Sequence, residues 1–252
     1  FKFQMPTPIH VKAILPMVLI IAMMYGCSAK EVQNQNLPQA NIPVAYKQTE
    51  DNFWWRCQFK IVWPENTRLD WGMDLLLAHS VISPSLKNHH KDISYWRFHR
   101  RAARDSAGHQ FSFIFFSKAE TAASVYWEIQ QSSILKQALE MKLVERVRTG
   151  DLQNPKSPNI EDASDPNWSP EIQRSWPLFI MGVSSLWLEL INDFFPAGPE
   201  DHGNIEIMLE KYHEVDAQIT NLWRNEGQHA FLHHLNAIFG YNPMFLRKMI
   251  TF

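Results

Sequence analysis

The sequence predicts an α+β fold, a ferredoxin-like βαββαβ layer followed by a C-terminal three-helix layer. Three observations predict it. Between residues 53 and 148, strand-like alternation and helix-like periodicity succeed one another in the order strand, helix, strand, strand, helix, strand. A proline-punctuated stretch then interrupts both periods, and after it helical periodicity alone continues to residue 239. The chain also has the material for a core: 45% of its 252 residues are hydrophobic, with 10 Trp and 16 Phe.

The elements follow in order. Residues 54 to 63 place Trp55, Cys57, Phe59, Ile61 and Trp63 on one face and Arg56, Gln58 and Lys60 on the other, a half-buried strand ended by Pro64. Residues 69 to 88 carry Leu69, Met73, Leu76, Leu77 and Val81 at helical spacing, with Asp70 near the start and Pro84 expected to break or bend the end. Residues 92 to 101 and 109 to 117 read as a pair of strands, joined by a loop longer than a tight hairpin that holds Asp105 and Gly108. Residues 118 to 140 repeat at helical period through Ala122, Val125, Tyr126, Ile129, Leu135 and Ala138, and residues 142 to 148 supply the last strand. Together, residues 53–148 form the α+β domain. Residues 149–170 contain Asn154-Pro155, Ser157-Pro158, Asp165-Pro166 and Ser169-Pro170, which make a long loop. In the helical region, 171–252, three helices are expected at 171 to 195, 201 to 224 and 226 to 239, with Pro177 placing the first helix start near Ser175.

The N-terminal segment reads as an address. A polar start with Lys2 and Lys12 precedes the apolar run Ala-Ile-Leu-Pro-Met-Val-Leu-Ile-Ile-Ala-Met-Met-Tyr-Gly-Cys at residues 13 to 27. An apolar core of about 14 residues suits a signal peptide. As a helix it would span ~21 Å, short of a ~30 Å hydrocarbon layer. Gly26 followed by Cys27 resembles the lipobox of bacterial lipoproteins, with Met24 and Tyr25 where that family usually has a leucine and a variable residue. The resemblance implies removal of the signal peptide, residues 1–26, and acylation of Cys27. It also implies an anchored tether over residues 27–52 and, with Ser28 after the cysteine, sorting to the outer membrane. An uncleaved anchor on the same side of the membrane is the alternative. Several acyl chains hold a protein stably where one holds it only marginally. The tether is polar and rich in Gln and Asn, as a solvated linker should be.

Composition narrows the partners. The formal net charge is −2, with no basic excess and no long like-charge block, so nucleic acid is not an expected partner. With Cys27 acylated, Cys57 is the remaining cysteine and no internal disulfide is expected. Its place in an alternating strand makes it a buried, inert thiol. Nine scattered glycines form neither a Gly-x-Gly-x-x-Gly nor a Walker pattern, and no serine sits in a Gly-x-Ser-x-Gly elbow, so no cofactor is indicated.

Two constellations could carry chemistry. In the hairpin Tyr95 to His109, period two puts Arg97, His99 and Arg101 on one face and Trp96, Phe98 and Arg100 on the other, with Arg104 and Asp105 in the loop. Arginines so placed can hold a carboxylate or phosphate bidentately. Alternatively they pair with Glu161, Asp162 and Asp165, pinning the long loop over the sheet. An aromatic strand leading to Arg100 or Arg101, then Asp105 in a turn, then His109, resembles a hairpin in the C-terminal elimination domain of lantibiotic dehydratases. Gln110 and Ser112 stand where that family has arginines. The resemblance implies a fold and transfers no activity. In the second constellation, His229 and His233 lie four apart on a helix, the spacing of a two-histidine metal clip. Ala230 occupies the place where a zinc protease needs its glutamate. Further ligands could come from His202, His213 or Glu214.

The sequence therefore predicts a lipid-anchored envelope protein, touching the membrane through its lipid. It would bind a partner protein or a small anionic ligand through Arg97, His99, Arg101 and Arg104. One alternative is an enzyme using His109, Arg100 or Arg101, and Asp105 in acid–base or anion-stabilising roles. A second is metal binding through His229 and His233.

Overall fold

A computed structural model describes residues 51–63, 71–101, 108–195 and 204–242. The signal segment, Cys27 and the tether up to residue 50 lie outside the described residues, as do Asp70, Arg104, Asp105 and His202. The first strand, β1 (Asn52–Ile61), buries Trp55, Cys57, Phe59 and Ile61, the face expected from alternation. Helix α1 covers 72–88 in three stretches: α-helical Gly72–Leu76, a π-helical turn Leu77–Ile82 and α-helical Ser83–Asn88. Pro84 does not end it. A proline cannot donate to the carbonyl four residues back and its ring crowds that carbonyl, and here the wide π-turn lies immediately before it.

Strands β2 (Tyr95–Arg100) and β3 (Gln110–Lys118) follow. Helix α2 (Ala119–Gln131) stops at Ser132, whose hydroxyl accepts from the Leu135 N–H at 3.3 Å and starts α3 (Ser133–Glu140). The expected single helix is thus two, because Ser132 leaves helical geometry to cap its successor. Strand β4 (Val144–Thr149) completes a four-stranded sheet in the order β2-β3-β1-β4, with every neighbouring pair antiparallel. This is the split βαβ arrangement the element order predicts.

The loop from Gly150 contains one 3-10 turn, Ile160–Ala163, and leads into helix α4 (Pro170–Phe194). Pro177 sits inside α4 without breaking it, so the helix starts seven residues before that proline rather than near Ser175. The carbonyl that Pro177 cannot serve is that of Gln173, and the Ser164 hydroxyl donates to it at 2.7 Å from the preceding loop. Asn204 then caps a long helix, α5, over 205–238: α-helical Ile205–Gly227, a π-turn Gln228–His233 and α-helical His234–Ile238. The second and third expected helices are therefore one continuous run. Asn225 and Gly227 resemble a stop, but Gly227 keeps right-handed helical geometry at φ −59° and the run continues through it, and Gly240, at φ 70°, supplies the ending.

One face of the sheet packs on helices. Phe59, Phe111, Phe113 and Phe115 are fully buried there, with Leu75, Leu76, Leu77 and Ile82 of α1 and Ile129 of α2. Tyr212 of α5 is buried against α1, its hydroxyl 2.7 Å from His79 Nδ1 and 2.6 Å from Ser80 Oγ at the π-turn. Helix α4 closes the free edge of β2. The Phe98 N–H, with no strand beyond it, donates to Ser184 Oγ at 3.1 Å, and Ser184 donates to Ile180 O at 2.8 Å.

Ser184→Ala leaves the buried Phe98 N–H unpaired and should cost about 1–3 kcal/mol of unfolding free energy in urea. A loss of under a few tenths would show that this edge contact does not hold α4 to the sheet.

Candidate functional site

The sheet divides the hairpin residues between its two faces. On the outer face the strands align in rows. Tyr95, Phe116 and Trp54 form an aromatic row; Arg97, Ile114 and Arg56 form the next; His99, Ser112, Gln58 and Arg148 form a third. The loop after β4 crosses the aromatic row. Trp54 donates through Nε1 to the carbonyls of Asn159 and Ile160, both at 3.0 Å, and its backbone N–H donates to Ser157 O at 3.1 Å. The Gly150 N–H is held by the Tyr126 hydroxyl at 3.1 Å and by Arg56 O at 3.0 Å. A side chain at Gly150 would bring its Cβ to 2.9 Å from the Tyr126 hydroxyl, so this close approach requires glycine. Burial pushes the Tyr126 phenol up to about 12.

Loop and rows enclose a cleft of about 680 Å³. Arg56, Arg97, Arg148 and Lys156 line it, against Asp151 and Asp162. The expected pinning of the loop by arginine–carboxylate pairs takes a different form. Arg97 Nη2 donates to the carbonyl of Ala163 at 3.4 Å, while the Asp162 carboxylate accepts from the Asn159 N–H at 2.8 Å and so shapes the loop itself. Arg97 Nε is buried with no hydrogen-bond partner among the described residues. Burial and then the neighbouring Arg56 push the Arg97 guanidinium down from its ordinary value. His99 is pushed down by burial and then by Arg97, Arg56 and Arg101. At both groups neighbouring positive charge adds to the effect of burial. Arg101 follows β2, its N–H donating to Gln110 O at 2.9 Å.

The inner face carries a second cluster. Asp74 of α1 is fully buried, and His109 donates through Nε2 to its Oδ2 at 2.8 Å. Arg100 Nε lies 3.5 Å from Asp74 Oδ1, an ion pair without a hydrogen bond. Aromatic rings enclose the group. Trp63 and Trp71 meet the His109 ring edge-on at 4.7 and 5.1 Å, and the Arg100 guanidinium lies 5.1 Å from Trp71 and 4.5 Å from Trp187. His109 Nδ1 and Arg100 Nη2 are buried without hydrogen-bond partners among the described residues.

Of the residues singled out from sequence, Arg97 and His99 share the outer face, whereas Arg100 and His109 meet on the inner one. Asp74 of α1 stands between them. Sequence reasoning missed Asp74, although an acid flanked by Met73, Leu75, Leu76 and Leu77 was a visible sign of a buried carboxylate. It also missed Arg56 and Arg148 as partners of Arg97, which depend on strand order. His229 and His233 stack at 5.1 Å on the π-turn of α5, with His234 edge-on to both. Among the described residues, no three His, Cys, Asp or Glu side chains converge as metal ligands. Burial pushes the Cys57 thiol far up, which keeps it protonated and unreactive.

No protein-family model matches the chain, and no curated protein matches it. A solved structure of TsrL is similar over 75% of this chain at 10% identity, with a TM-score of 0.34. The match spans 49% of the TsrL chain, and a likeness of that size carries no argument.

Removing one partner of a buried, charged hydrogen bond strands the other, so Asp74→Ala should cost about 3–5 kcal/mol in urea unfolding. In a double-mutant cycle with His109→Ala, the two losses should fall well short of additive. Additive losses would mean the pair does not act as a unit.

Proposed function

We propose that this chain is an anion-binding module of a bacterial envelope, held at the outer membrane by a lipidated Cys27. The observation that carries the binding half is the composition of the outer cleft. Three arginines from three different strands, with Lys156 from the loop, line one cavity of about 680 Å³. Strand-borne arginines are held in place before a ligand arrives, and a guanidinium that lacks its hydrogen bonds gains most from a carboxylate or phosphate. The cavity size suits a small molecule. The ligand class is a compact polyanion, with acidic oxygens spaced to reach Arg97 and Arg56 or Arg148 together. The anchoring half is supported by the signal-like run that ends at Gly26-Cys27 and by the polar tether after it.

The inner cluster favours a structural role over an acid–base one. His109 and Asp74 are sealed by Trp63 and Trp71 and lie on the face away from the cleft. A catalytic base must come within hydrogen-bond reach of the proton it takes.

The probe for the cleft is inorganic pyrophosphate, measured by calorimetry at low salt. Arg97→Gln and Arg148→Gln should each weaken binding roughly tenfold or more, the worth of a charge-assisted hydrogen bond. His99 stands on the same outer face as Arg97 and Arg56, one row along from them. Its folded value lies below the ordinary 6.5, so it contributes stability that is present above pH 6.5 and lost as pH falls below it. With sulfate as the probe, an anion whose charge is constant across this range, binding near His99 opposes that shift, so it should tighten as pH falls below 6.5, with uptake of a proton. Affinity unchanged in both arginine variants would overturn the cleft assignment.

For the anchor, the full chain expressed in a Gram-negative host should yield an N-terminal diacylglyceryl-cysteine at residue 27 by mass spectrometry, absent in Cys27→Ser. An unmodified chain retaining residues 13 to 26 would remove the lipoprotein assignment.

A further inference from the structure

Helix α4 is apolar on two sides, and the fold uses one of them. Pro177, Ser184, Leu188 and Ile191 are buried against the rest of the protein. On another side Ile172, Trp176, Phe179, Val183, Leu186 and Leu190 recur at alternating spacings of four and three, the seam of a heptad repeat. Ile172, Phe179, Val183 and Leu186 are between 40% and 51% exposed. Large contiguous apolar surfaces mark interfaces.

We propose that this seam joins two copies of the chain, with their α4 helices packed antiparallel. A spacing of four, three, four, three, four reads the same in both directions, so an antiparallel copy sets every seam residue opposite another. Ile172 meets the partner's Leu190, Trp176 the partner's Leu186, and Phe179 the partner's Val183. Independently, Val183, Leu186, Trp187 and Leu190 stand at i, i+3, i+4 and i+7 and line a hollow of about 280 Å³, walled on the other side by Trp223 and Phe231 of α5. Four residues so spaced are the hole that a coiled-coil knob fills. The register aims the partner's Trp176 at it, and a tryptophan in such a pocket is the usual energetic centre of an interface.

Charge fits the same register. Asp193, three residues past Leu190, falls opposite the partner's Ser169, the N-cap of α4, where a carboxylate meets the positive end of a helix. Glu189 falls opposite the partner's Gln173 and, along the flank that carries Gly182, nearest the partner's Ser175, rather than another acid. The area is of the right order. Half-exposed large side chains each offer on the order of 80–100 Å², so the stripe with Trp168 supplies roughly 500 Å². Flanking residues and Trp223, itself 55% exposed, carry the total toward the ~800 Å² per partner of a standard interface.

Gly182 falls beside the two-fold axis, and a Cβ there would meet nothing within 4 Å. The test uses the full chain carrying Cys27→Ser, so that the buried Cys57 is the remaining native thiol. Gly182→Cys should form a disulfide-linked dimer under mild oxidation several-fold faster than Ser124→Cys, an exposed control on α2. Adding Val183→Asp, with near-UV circular dichroism unchanged, should return the rate to that of the control. Ile172→Asp, at the far end of the seam, should do the same. Gly182→Cys linking no faster than Ser124→Cys would overturn the dimer. So would linking that ignores both aspartates. Association of the unlinked chain with phosphatidylglycerol vesicles that Val183→Asp abolishes would assign the seam to lipid instead.

Discussion

A carboxylate buried in an aromatic core is the interaction on which the rest of the structure depends. Asp74 is wholly out of water, which would be costly were it not met by His109 at 2.8 Å and Arg100 at 3.5 Å. Those partners come from the two ends of one hairpin, Arg100 closing β2 and His109 preceding β3. The carboxylate therefore fixes where the sheet stops relative to α1. Through the contact of Arg100 with Trp187, it also fixes where α4 lies against the edge of β2. Aromatic rings around the ions replace hydration with quadrupole contacts and keep water away.

With the inner face so occupied, the outer face is left to the charged side chains that alternation puts there. Arg97 and Arg100 are three residues apart, an odd number, so the pleat sends them to opposite faces and opposite roles. Arg100 pairs with a buried acid, whereas Arg97 stands in a row with Ile114 and Arg56 on the outer face. The loop from Gly150 to Ser164 shapes that row into a cleft because Trp54 and Arg97 hold its backbone carbonyls. Holding that loop through carbonyls means that this contact of Arg97 with it is to a neutral group, the Ala163 carbonyl, and not to a carboxylate.

Much of the fold was legible in the sequence because it rests on local periodicity. Alternation from Trp55 to Ile61 and helical spacing from Ala122 to Ile129 each state which face is buried, and the succession of elements states the fold class. Features that depend on distant carbonyls or side chains were not legible. Pro84 and Pro177 both looked like breaks, yet one follows a π-turn and the other has its orphan carbonyl served by Ser164, nine residues before Gln173. The division of the second and third C-terminal helices failed for the opposite reason, since a π-turn leaves no compositional mark. In the site, the facing of Arg97 and His99 could be read from period two, but the company of Arg56 and Arg148 could not. It exists only once β1 stands between β3 and β4.

In the proposed function the two faces of one sheet divide the labour, the outer face receiving an anion and the inner cluster holding the fold. Amide chemical-shift mapping of the isotope-labelled chain during a pyrophosphate titration tests it most directly. An anion in the cleft should give saturable shifts at Arg56, Arg97, Gly150, Ser157 and Ser164, with Asp74 and His109 unmoved. Shifts centred on Asp74, Arg100 and His109, with the cleft residues silent, would contradict it.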